Sequence, residues 1–260
     1  MRKPKGLLID ISRCIGCGEC ARACAAANNL PQEEATELSA THYTVVQSFN
    51  NDQTYVRRLC MHCQQPTCVS ACLVGAFTKT PEGAVLYDES KCIGCRYCMQ
   101  ACPFEVPRYE WTSLVPRVQK CRMCYDRILS GQKTACAEAC PVEATVFGDR
   151  DELINEARRR IDESPETYIN YIYGLEEAGG TSVLYISNVP FEQLGLPMNV
   201  PKEPIPELSW RVLSQIPKYS VTAAVVLFGI HWITQRRTEV ARFEAEERRK
   251  AELAKHEHSH

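Results

Sequence analysis

The feature that most constrains this chain is a run of four closely spaced cysteines between Lys91 and Pro103, which reads K-C-I-G-C-R-Y-C-M-Q-A-C-P. Its spacing is C-x2-C-x2-C-x3-C followed by proline, and thiolates at that spacing hold [4Fe–4S] clusters. The first three thiolates reach one cubane, whereas the fourth points away and ligates a neighbouring cluster. Pro103 helps to aim the fourth cysteine, because proline cannot continue a regular hydrogen-bonded turn. The run therefore predicts a partner motif elsewhere in the chain.

Three further groups of four cysteines provide such partners. The first has the same regular spacing, the second has two extra residues before its third cysteine, and the fourth has a long insertion at that place. Together the four groups use all 16 cysteines, which predicts four cubane sites. The predicted ligands are Cys14, Cys17, Cys20 and Cys24; Cys60, Cys63, Cys68 and Cys72; Cys92, Cys95, Cys98 and Cys102; and Cys121, Cys124, Cys136 and Cys140.

Two other uses of cysteine compete with this interpretation. Paired C-x2-C units also build structural zinc sites, but a zinc site has no use for a triplet plus a displaced fourth cysteine. Disulfide scaffolds are mostly small, whereas a chain of 260 residues buries a core without cross-links. The spacing favours iron–sulfur clusters over both.

Charge and motif content exclude several functions. The chain has 30 basic and 32 acidic side chains, so nothing predicts nucleic-acid binding. No nucleophile elbow and no flavin or nucleotide fingerprint is present, which predicts an electron conduit and not an enzyme. A reductase acting at an open iron would need a missing cysteine, and none is missing. The first ten residues have no apolar core and no twin arginine, so we expect no export signal in them.

Short strands are expected around the cysteine motifs. Apolar and β-branched runs bounded by turn residues predict a first strand, several hairpin strands and one long helix at Asp151–Ile161. The predicted strands are Leu7–Ile11, His42–Ser48, Thr54–Leu59, Ala76–Thr80, Ala84–Asp88, Ala144–Gly148, Tyr168–Tyr173 and Ser182–Asn188, with turns at Asn50–Asp52 and Pro81–Gly83. Residues 190–206 are rich in proline and predict an extended arm on the surface, where the compact domain ends.

A single long apolar stretch, Ile216–Ile233, predicts a transmembrane helix with Tyr219 and Trp232 near its ends. A buried core helix is the alternative, because Thr222 and His231 dilute the apolar character. Basic residues are more numerous after the stretch than before it, which predicts a cytoplasmic tail and a cluster domain on the outer face. Those basic residues are Arg236, Arg237, Arg242, Arg248, Arg249 and Lys250 after it, and Lys202, Arg211 and Lys218 before it.

The predicted organisation has four parts and an α+β fold. They are a double ferredoxin-like domain (1–148), a C-terminal extension with the proline-rich arm (149–207), the anchor helix (208–237) and a polar helical tail (238–260). Three histidines end the tail at His256, His258 and His260, and we expect them to be inert.

The order of the motifs and the late apolar helix resemble the four-cluster ferredoxin-like subunits of membrane-bound respiratory oxidoreductases. The segments C-M-H-C at 60–63 and G-G-T-S-V-L-Y at 179–185 look like both hydrogenase-2-type [NiFe] hydrogenase subunits and formate dehydrogenase-N beta subunits. The segment Asn188–Pro197 and the histidine-ended tail look more like the hydrogenase subunit. The missing twin-arginine signal looks more like the formate dehydrogenase subunit.

The resemblance implies a pairing that spacing alone leaves open, since pairing the first motif with the second is also conceivable. It pairs the first motif with the fourth and the second with the third, in tandem two-cluster modules. It also implies relay of electrons between a catalytic subunit, most closely a [NiFe] hydrogenase, and an integral-membrane quinone-reactive subunit. A molybdopterin enzyme such as formate dehydrogenase is the alternative catalytic partner. The implied ligand sets are Cys14, Cys17, Cys20 and Cys140; Cys24, Cys121, Cys124 and Cys136; Cys60, Cys63, Cys68 and Cys102; and Cys72, Cys92, Cys95 and Cys98.

Overall fold

The computed structural model describes residues 3–51, 53–111, 113 and 116–257. The chain divides into two compact units, Met1–Leu208 and Ser209–His260. Asp52 of the predicted first turn and His258 and His260 of the tail lie outside the described residues, as do the first two residues of the chain. Helices and strands are both present, as the α+β prediction requires.

Short elements make up the first unit. Its described strands are β1 (Lys5–Asp10), β2 (Thr44–Phe49), β3 (Thr54–Leu59), β4 (Phe77–Lys79), β5 (Val85–Tyr87), β6 (Arg108–Tyr109), β7 (Val118–Gln119), β8 (Thr145–Asp149) and β9 (Val183–Ile186). Its helices are α1 (Glu19–Ala27), α2 (Thr67–Ser70), α3 (Tyr97–Ala101), α4 (Tyr125–Leu129), α5 (Ala135–Glu138) and α6 (Arg150–Glu163). Short 3-10 turns occur at Ile11–Arg13, Glu89–Lys91, Glu177–Gly179 and Phe191–Leu194.

A three-stranded sheet has the strand order β8-β1-β9. β1 pairs antiparallel with β8 and parallel with β9, so Leu8 stands opposite both Val146 and Leu184. Leu8 and Leu184 are fully buried and pack with Leu153 and Ala157 of α6 on one face of the sheet. A central strand covered on both faces is a continuous apolar run, which explains why β1 shows no polar–apolar alternation.

The predicted hairpins are confirmed, with small shifts at their ends. β2 pairs with β3 and β4 pairs with β5, both antiparallel. A third hairpin, β6–β7, was not predicted, because each of its strands has only two residues. The long helix predicted at Asp151–Ile161 is also present, as α6.

The prediction of a strand over Tyr168–Tyr173 is wrong. Only an isolated bridge between Tyr173 and Tyr185 forms there. The Tyr173 N–H donates to the Tyr185 carbonyl at 3.0 Å, but the Tyr171 N–H donates to the Ile169 carbonyl at 2.7 Å. This local turn takes the backbone out of register and interrupts the ladder.

The proline-rich segment, residues 190–206, lies directly before the end of the first unit at Leu208, as predicted, but its first large apolar side chains are buried and do not form a surface arm. Phe191 and Leu194 are 2% and 0% exposed and belong to the main apolar core. The Tyr173 hydroxyl donates a hydrogen bond to the Pro197 carbonyl at 2.8 Å. The segment packs against the unit because its apolar side chains complete the core.

The second unit is helical. Its helix α8 (Ile216–Glu257) follows α7 (Ile205–Leu213) and continues through the predicted polar tail. Among the described residues, one helical stretch, within Ile205–Ala251, is long and apolar enough to cross a membrane, and none of its apolar window is buried within the chain. Large apolar side chains such as Val221, Val225 and Phe228 are 64%, 67% and 71% exposed. Burial inside this chain therefore does not account for the apolar stretch.

Candidate iron–sulfur sites

The first and third cysteine motifs begin in the same way. Asp10 accepts a hydrogen bond from the Ser12 N–H at 3.1 Å, and Asp88 accepts one from the Ser90 N–H at 3.0 Å. Each bond caps a 3-10 turn that leads directly into the first cysteine of its motif. The repeat is visible in the sequence as D-x-S-x-C-I-G-C at 10–17 and at 88–95, a signal that the cysteine spacing alone did not reveal.

Backbone amides of the cysteine loops point at sulfur atoms. The Gly94 N–H donates to the Cys92 Sγ at 3.4 Å, and the Met123 N–H donates to the Cys121 Sγ at 3.3 Å. Hydrogen bonds to the charged form of a group favour that form. The loops are therefore built to stabilise thiolates.

One small cavity is bounded by cysteines from two motifs that are far apart in the sequence. Its walls include Cys14, Cys17 and Cys20 of the first motif and Cys140 of the fourth. Burial raises the pKa of the Cys14 thiol, and negative charge on Cys20, Cys140 and Cys17 raises that pKa further. The fold thus brings together the four cysteines of the first implied ligand set.

A second small cavity joins the second and third motifs. Cys60, Cys63, Cys68 and Cys102 lie in its wall. Burial raises the pKa of the Cys68 thiol to about 12 and that of the Cys102 thiol to about 11. Thr67 also lines this cavity, and its buried hydroxyl has no hydrogen-bond partner among the described residues.

Burial and neighbouring thiolates also raise the pKa values of several of the other eight cysteines. Burial raises the pKa of the Cys24 thiol to about 12, and negative charge at Cys136 and Cys124 adds to the rise. Burial likewise raises the pKa of the Cys121 thiol, with Cys24 as the strongest charged contributor. Burial raises the pKa of the Cys98 thiol to about 11, and the next contributors are Cys92, Cys95 and Cys72.

These surroundings fit iron–sulfur clusters. Buried thiols with raised pKa values ionise at neutral pH only when a metal replaces the proton. Four thiolates on one zinc ion lie about 3.8 Å apart, given Zn–S bonds of about 2.3 Å, whereas a four-iron cubane holds its ligands farther apart. Within the described part of the chain, no three His, Cys, Asp or Glu side chains are close enough to hold a single metal ion. The unpartnered Thr67 hydroxyl supplies a donor toward a group in the second cavity.

Two buried cations accompany the cysteines: Lys120, which stands directly before Cys121 in the sequence, and Arg57, to which the motif spacing gave no pointer. Arg57 is 2% exposed and lines the first cavity, and Lys120 is 3% exposed and lines the second. Arg57 comes from a strand segment whose charges look like ordinary surface charges in the sequence, whereas Lys120 is next to a predicted ligand. Their burial depends on strand pairing and loop packing.

Comparison with known protein families identifies one domain. Residues 51–150 match the family model described as a 4Fe-4S dicluster domain. The matched residues contain the second, third and fourth cysteine motifs.

Comparison with individual proteins identifies relatives over most of the chain. The hydrogenase-2 operon protein HybA of Escherichia coli O157:H7 is 36% identical over 237 residues, covering 74% of this chain and 72% of HybA. The iron–sulfur subunit of the nitrate-inducible formate dehydrogenase of Escherichia coli K12 is 34% identical over 215 residues, covering 76% and 72% of the two chains. A protein of Nitratidesulfovibrio vulgaris Hildenborough is 38% identical over 281 residues, covering 96% and 76%.

Proposed function

This chain belongs to the family of iron–sulfur electron-transfer subunits that includes HybA and the formate dehydrogenase iron–sulfur subunits, and from that premise we propose that it holds four [4Fe–4S] clusters. Bound clusters of this type accept and release single electrons. The chain itself positions the clusters, shields them from water and sets the charge around them. We assign it no substrate reaction of its own.

The observation behind this proposal is the composition of the two small cavities. Each is lined by three cysteines of one motif and the last cysteine of a distant motif. A fourth cysteine that crosses to the neighbouring cluster is the pattern of two-cluster ferredoxin modules. The repeated aspartate-capped entry at Asp10 and Asp88 supports two such modules in tandem.

We assign the sixteen cysteines to four ligand sets on this basis. Set A and set C line the two cavities, and set B and set D are the two remaining sets that the family resemblance implies. Set A is Cys14, Cys17, Cys20 and Cys140; set B is Cys24, Cys121, Cys124 and Cys136; set C is Cys60, Cys63, Cys68 and Cys102; and set D is Cys72, Cys92, Cys95 and Cys98.

The positions of the two partner subunits are proposed from the first and last ligand sets, set A and set D. Cys17 of set A and Cys95 of set D are exposed. An exposed ligand brings a cluster close to the protein surface, where a partner can exchange electrons with it. We place the catalytic subunit at set A and an integral-membrane quinone-reactive subunit at set D.

The catalytic partner in this proposal is a [NiFe] hydrogenase, with formate dehydrogenase or another molybdopterin enzyme as the alternative. The hydrogenase assignment is supported by the segment Asn188–Pro197, whose likeness to hydrogenase subunits was noted from the sequence.

The helix α8 serves as a single-pass membrane anchor in this proposal. The cluster-bearing domain (1–148) and its extension (149–207) lie on the outer, periplasmic face. The anchor (208–237) crosses the membrane, and the tail (238–260) is cytoplasmic. The excess of basic residues after the apolar stretch supports this orientation.

The identity of the partner is tested by purifying the detergent-solubilised complex anaerobically through a tag on this chain. A hydrogenase complex yields a large subunit with nickel and iron, and hydrogen bleaches the visible absorbance of the iron–sulfur clusters. Molybdenum or tungsten, with bleaching by formate, supports the alternative. Recovery of a cluster-loaded chain with no large subunit contradicts the proposed role.

A further inference from the structure

Two buried cations in this protein have no acidic partner among the residues that the structure describes. Arg57 donates to the Thr44 hydroxyl at 2.9 Å and to the Thr145 hydroxyl at 3.3 Å. Lys120 donates to the backbone carbonyls of Val85 and Cys121. Neither cation forms an ion pair with any carboxylate in the described parts of the chain, although Arg57 and Lys120 are only 2% and 3% exposed.

Such an arrangement is costly unless negative charge lies nearby. A buried charge is normally paired, because its loss of hydration is otherwise uncompensated. The same protein shows the usual solution at Arg160, which is buried and pairs with Asp10 at 3.0 Å. The hydroxyl and carbonyl dipoles around Arg57 and Lys120 satisfy hydrogen bonds but supply no net charge.

The negative charge that faces each cation comes from cysteines. Arg57 lines the set A cavity, and its charge also opposes the pKa rise of the Cys24 and Cys124 thiols of set B. Burial alone lowers the pKa of the Arg57 guanidinium, but negative charge at Cys136 and Cys20 raises it overall. Arg57 therefore faces the set A cavity, and its side chain also donates a hydrogen bond to Cys136 of set B.

Lys120 has the corresponding position in the other half of the unit. It lines the set C cavity, and its charge opposes the pKa rise of the Cys68 and Cys102 thiols. For Cys98 of set D, the largest influences are burial and other cysteines of that set. The two cations thus face different ligand sets.

We propose that Arg57 and Lys120 are built-in countercations that raise the reduction potentials of the clusters they face, Arg57 for sets A and B and Lys120 for set C. This inference rests on the proposed ligand sets. Reduction adds a negative charge to a cluster that is already negative, so a fixed cation stabilises the reduced form more than the oxidised form. Burial keeps salt from screening the effect.

The test is an EPR-monitored redox titration of the intact membrane complex with Arg57→Gln, which keeps a donor for the Thr44 hydroxyl but removes the charge. We expect the reduction equilibrium of the set A and set B clusters to shift at least tenfold toward the oxidised state, or about 59 mV for a one-electron couple. Lys120→Met should shift a different signal, that of set C. Arg57→Lys should keep the wild-type potentials.

Arg58→Gln is the matched control, because it makes the same change one position along β3, where the side chain bonds the Gly195 carbonyl near the surface. Its four potentials should equal those of the wild type. Four clusters with unchanged potentials in Arg57→Gln would overturn the inference while leaving the ligand sets intact. If Arg57→Gln loses clusters, wild-type potentials in Arg57→Lys support a charge role, and cluster loss in Arg57→Lys overturns it. A wild-type complex without four clusters would instead refute the proposed function.

Discussion

At the scale of single residues, the fourth cysteine of each motif decides how the sites are connected. Cys98 lies inside α3, whereas Cys102 follows the helix with an extended backbone (φ −79°, ψ 113°). Pro103 then prevents a further helical turn. Because of this change in backbone direction, the two cysteines of one motif face different neighbours, and Cys102 lies with Cys60 and Cys63.

Replacing Cys102 with serine therefore tests the crossing. We expect Cys102→Ser to lose or alter the cluster of set C and to leave set D intact, because hydroxyl is a far weaker iron ligand than thiolate. Cys95→Ser, in the same motif, should alter set D instead. EPR spectra of the reduced complexes provide the comparison. If both variants alter the same signal, each motif closes its own cluster and the ligand sets are wrong.

A second prediction concerns Gly16 in the first cysteine loop. Its φ is +72°, and an added Cβ would lie 2.5 Å from the Tyr55 ring. Gly131 has nearly the same φ, +74°, but nothing within 4 Å of its Cβ position. Gly131→Ala should cost only the left-handed backbone penalty, about 1–2 kcal/mol. Gly16→Ala should cost more, because the Tyr55 ring must also move.

The measurement is thermal unfolding of the cluster-loaded protein together with its retained iron. Gly16→Ala should unfold at a lower temperature than Gly131→Ala and lose iron sooner. Equal stabilities would show that Tyr55 does not pack against the cysteine loop.

At the scale of elements, the sequence was most informative where local signals repeat. The cysteine spacings and the turn residues between apolar runs predicted the motifs, the hairpins β2–β3 and β4–β5, and the helix α6. The strand order β8-β1-β9 was not predictable, because it joins segments from both ends of the unit. The burial of Phe191 in the proline-rich segment was not predictable either, because local composition does not reveal what this side chain packs against.

The burial of Arg57 beside the cysteines was also hidden from sequence analysis, whereas Lys120 stands next to Cys121 in the sequence. In the sequence of β3, Arg57 follows Val56 and precedes Arg58, as an ordinary solvent-facing strand residue would. Only the tertiary structure shows that its side chain is 2% exposed. By contrast, cysteine spacing names sixteen candidate ligands, because loop geometry ties thiolate spacing to the cubane.

The ion pair between Asp10, at the end of β1, and Arg160 of α6 is expected to stabilise the fold. The Asp10 carboxylate is fully buried, pairs with Arg160 of α6 at 3.0 Å and accepts a hydrogen bond from the Tyr168 hydroxyl at 2.8 Å. Asp10→Asn removes the buried carboxylate and leaves Arg160 with Glu156 as its ion-pair partner at 2.7 Å, so the expected loss of stability is about 3 kcal/mol. Unfolding in denaturant measures it.

The repeated entry supplies the control. Asp88 caps the equivalent turn before the third motif, but its side chain is 44% exposed and its ion pair with Lys91 is at the surface. Asp88→Asn should therefore cost no more than about 1–2 kcal/mol, the range for a lost cap and a surface pair. Equal losses for the two variants would contradict the structural role given to the Asp10–Arg160 pair.

The anchor helix yields the last prediction about an element. Removing residues 209–260 should leave a cluster-loaded protein that no longer sediments with membranes once its partner subunits are stripped away. Each strongly apolar residue of the span contributes roughly 0.3–0.6 kcal/mol to insertion. In the full-length protein, protease on the cytoplasmic side should cut after Arg237 and spare the cysteine motifs. Digestion of the cluster domain from that side would reverse the orientation, and a truncated chain that stays on bare membranes would rule out the anchor.

For the whole molecule, the exposure of the cysteines agrees with the proposed relay. Set A and set D each include an exposed cysteine, whereas most of the set B and set C cysteines are buried. Buried intermediate sites keep electrons away from solvent, and exposed terminal sites let partners exchange them. The proposed relay therefore requires four clusters in one chain, because the loss of the set B or set C cluster would interrupt the electron path.

The most direct test of this claim is the iron and sulfide content of the anaerobically purified chain, separated from its partners. Four cubanes require about sixteen iron and about sixteen sulfide per chain, together with the broad visible absorbance of iron–sulfur clusters. We expect this iron and sulfide content. A chain loaded with zinc, or one that holds only about eight iron when fully folded and fully loaded, would contradict it.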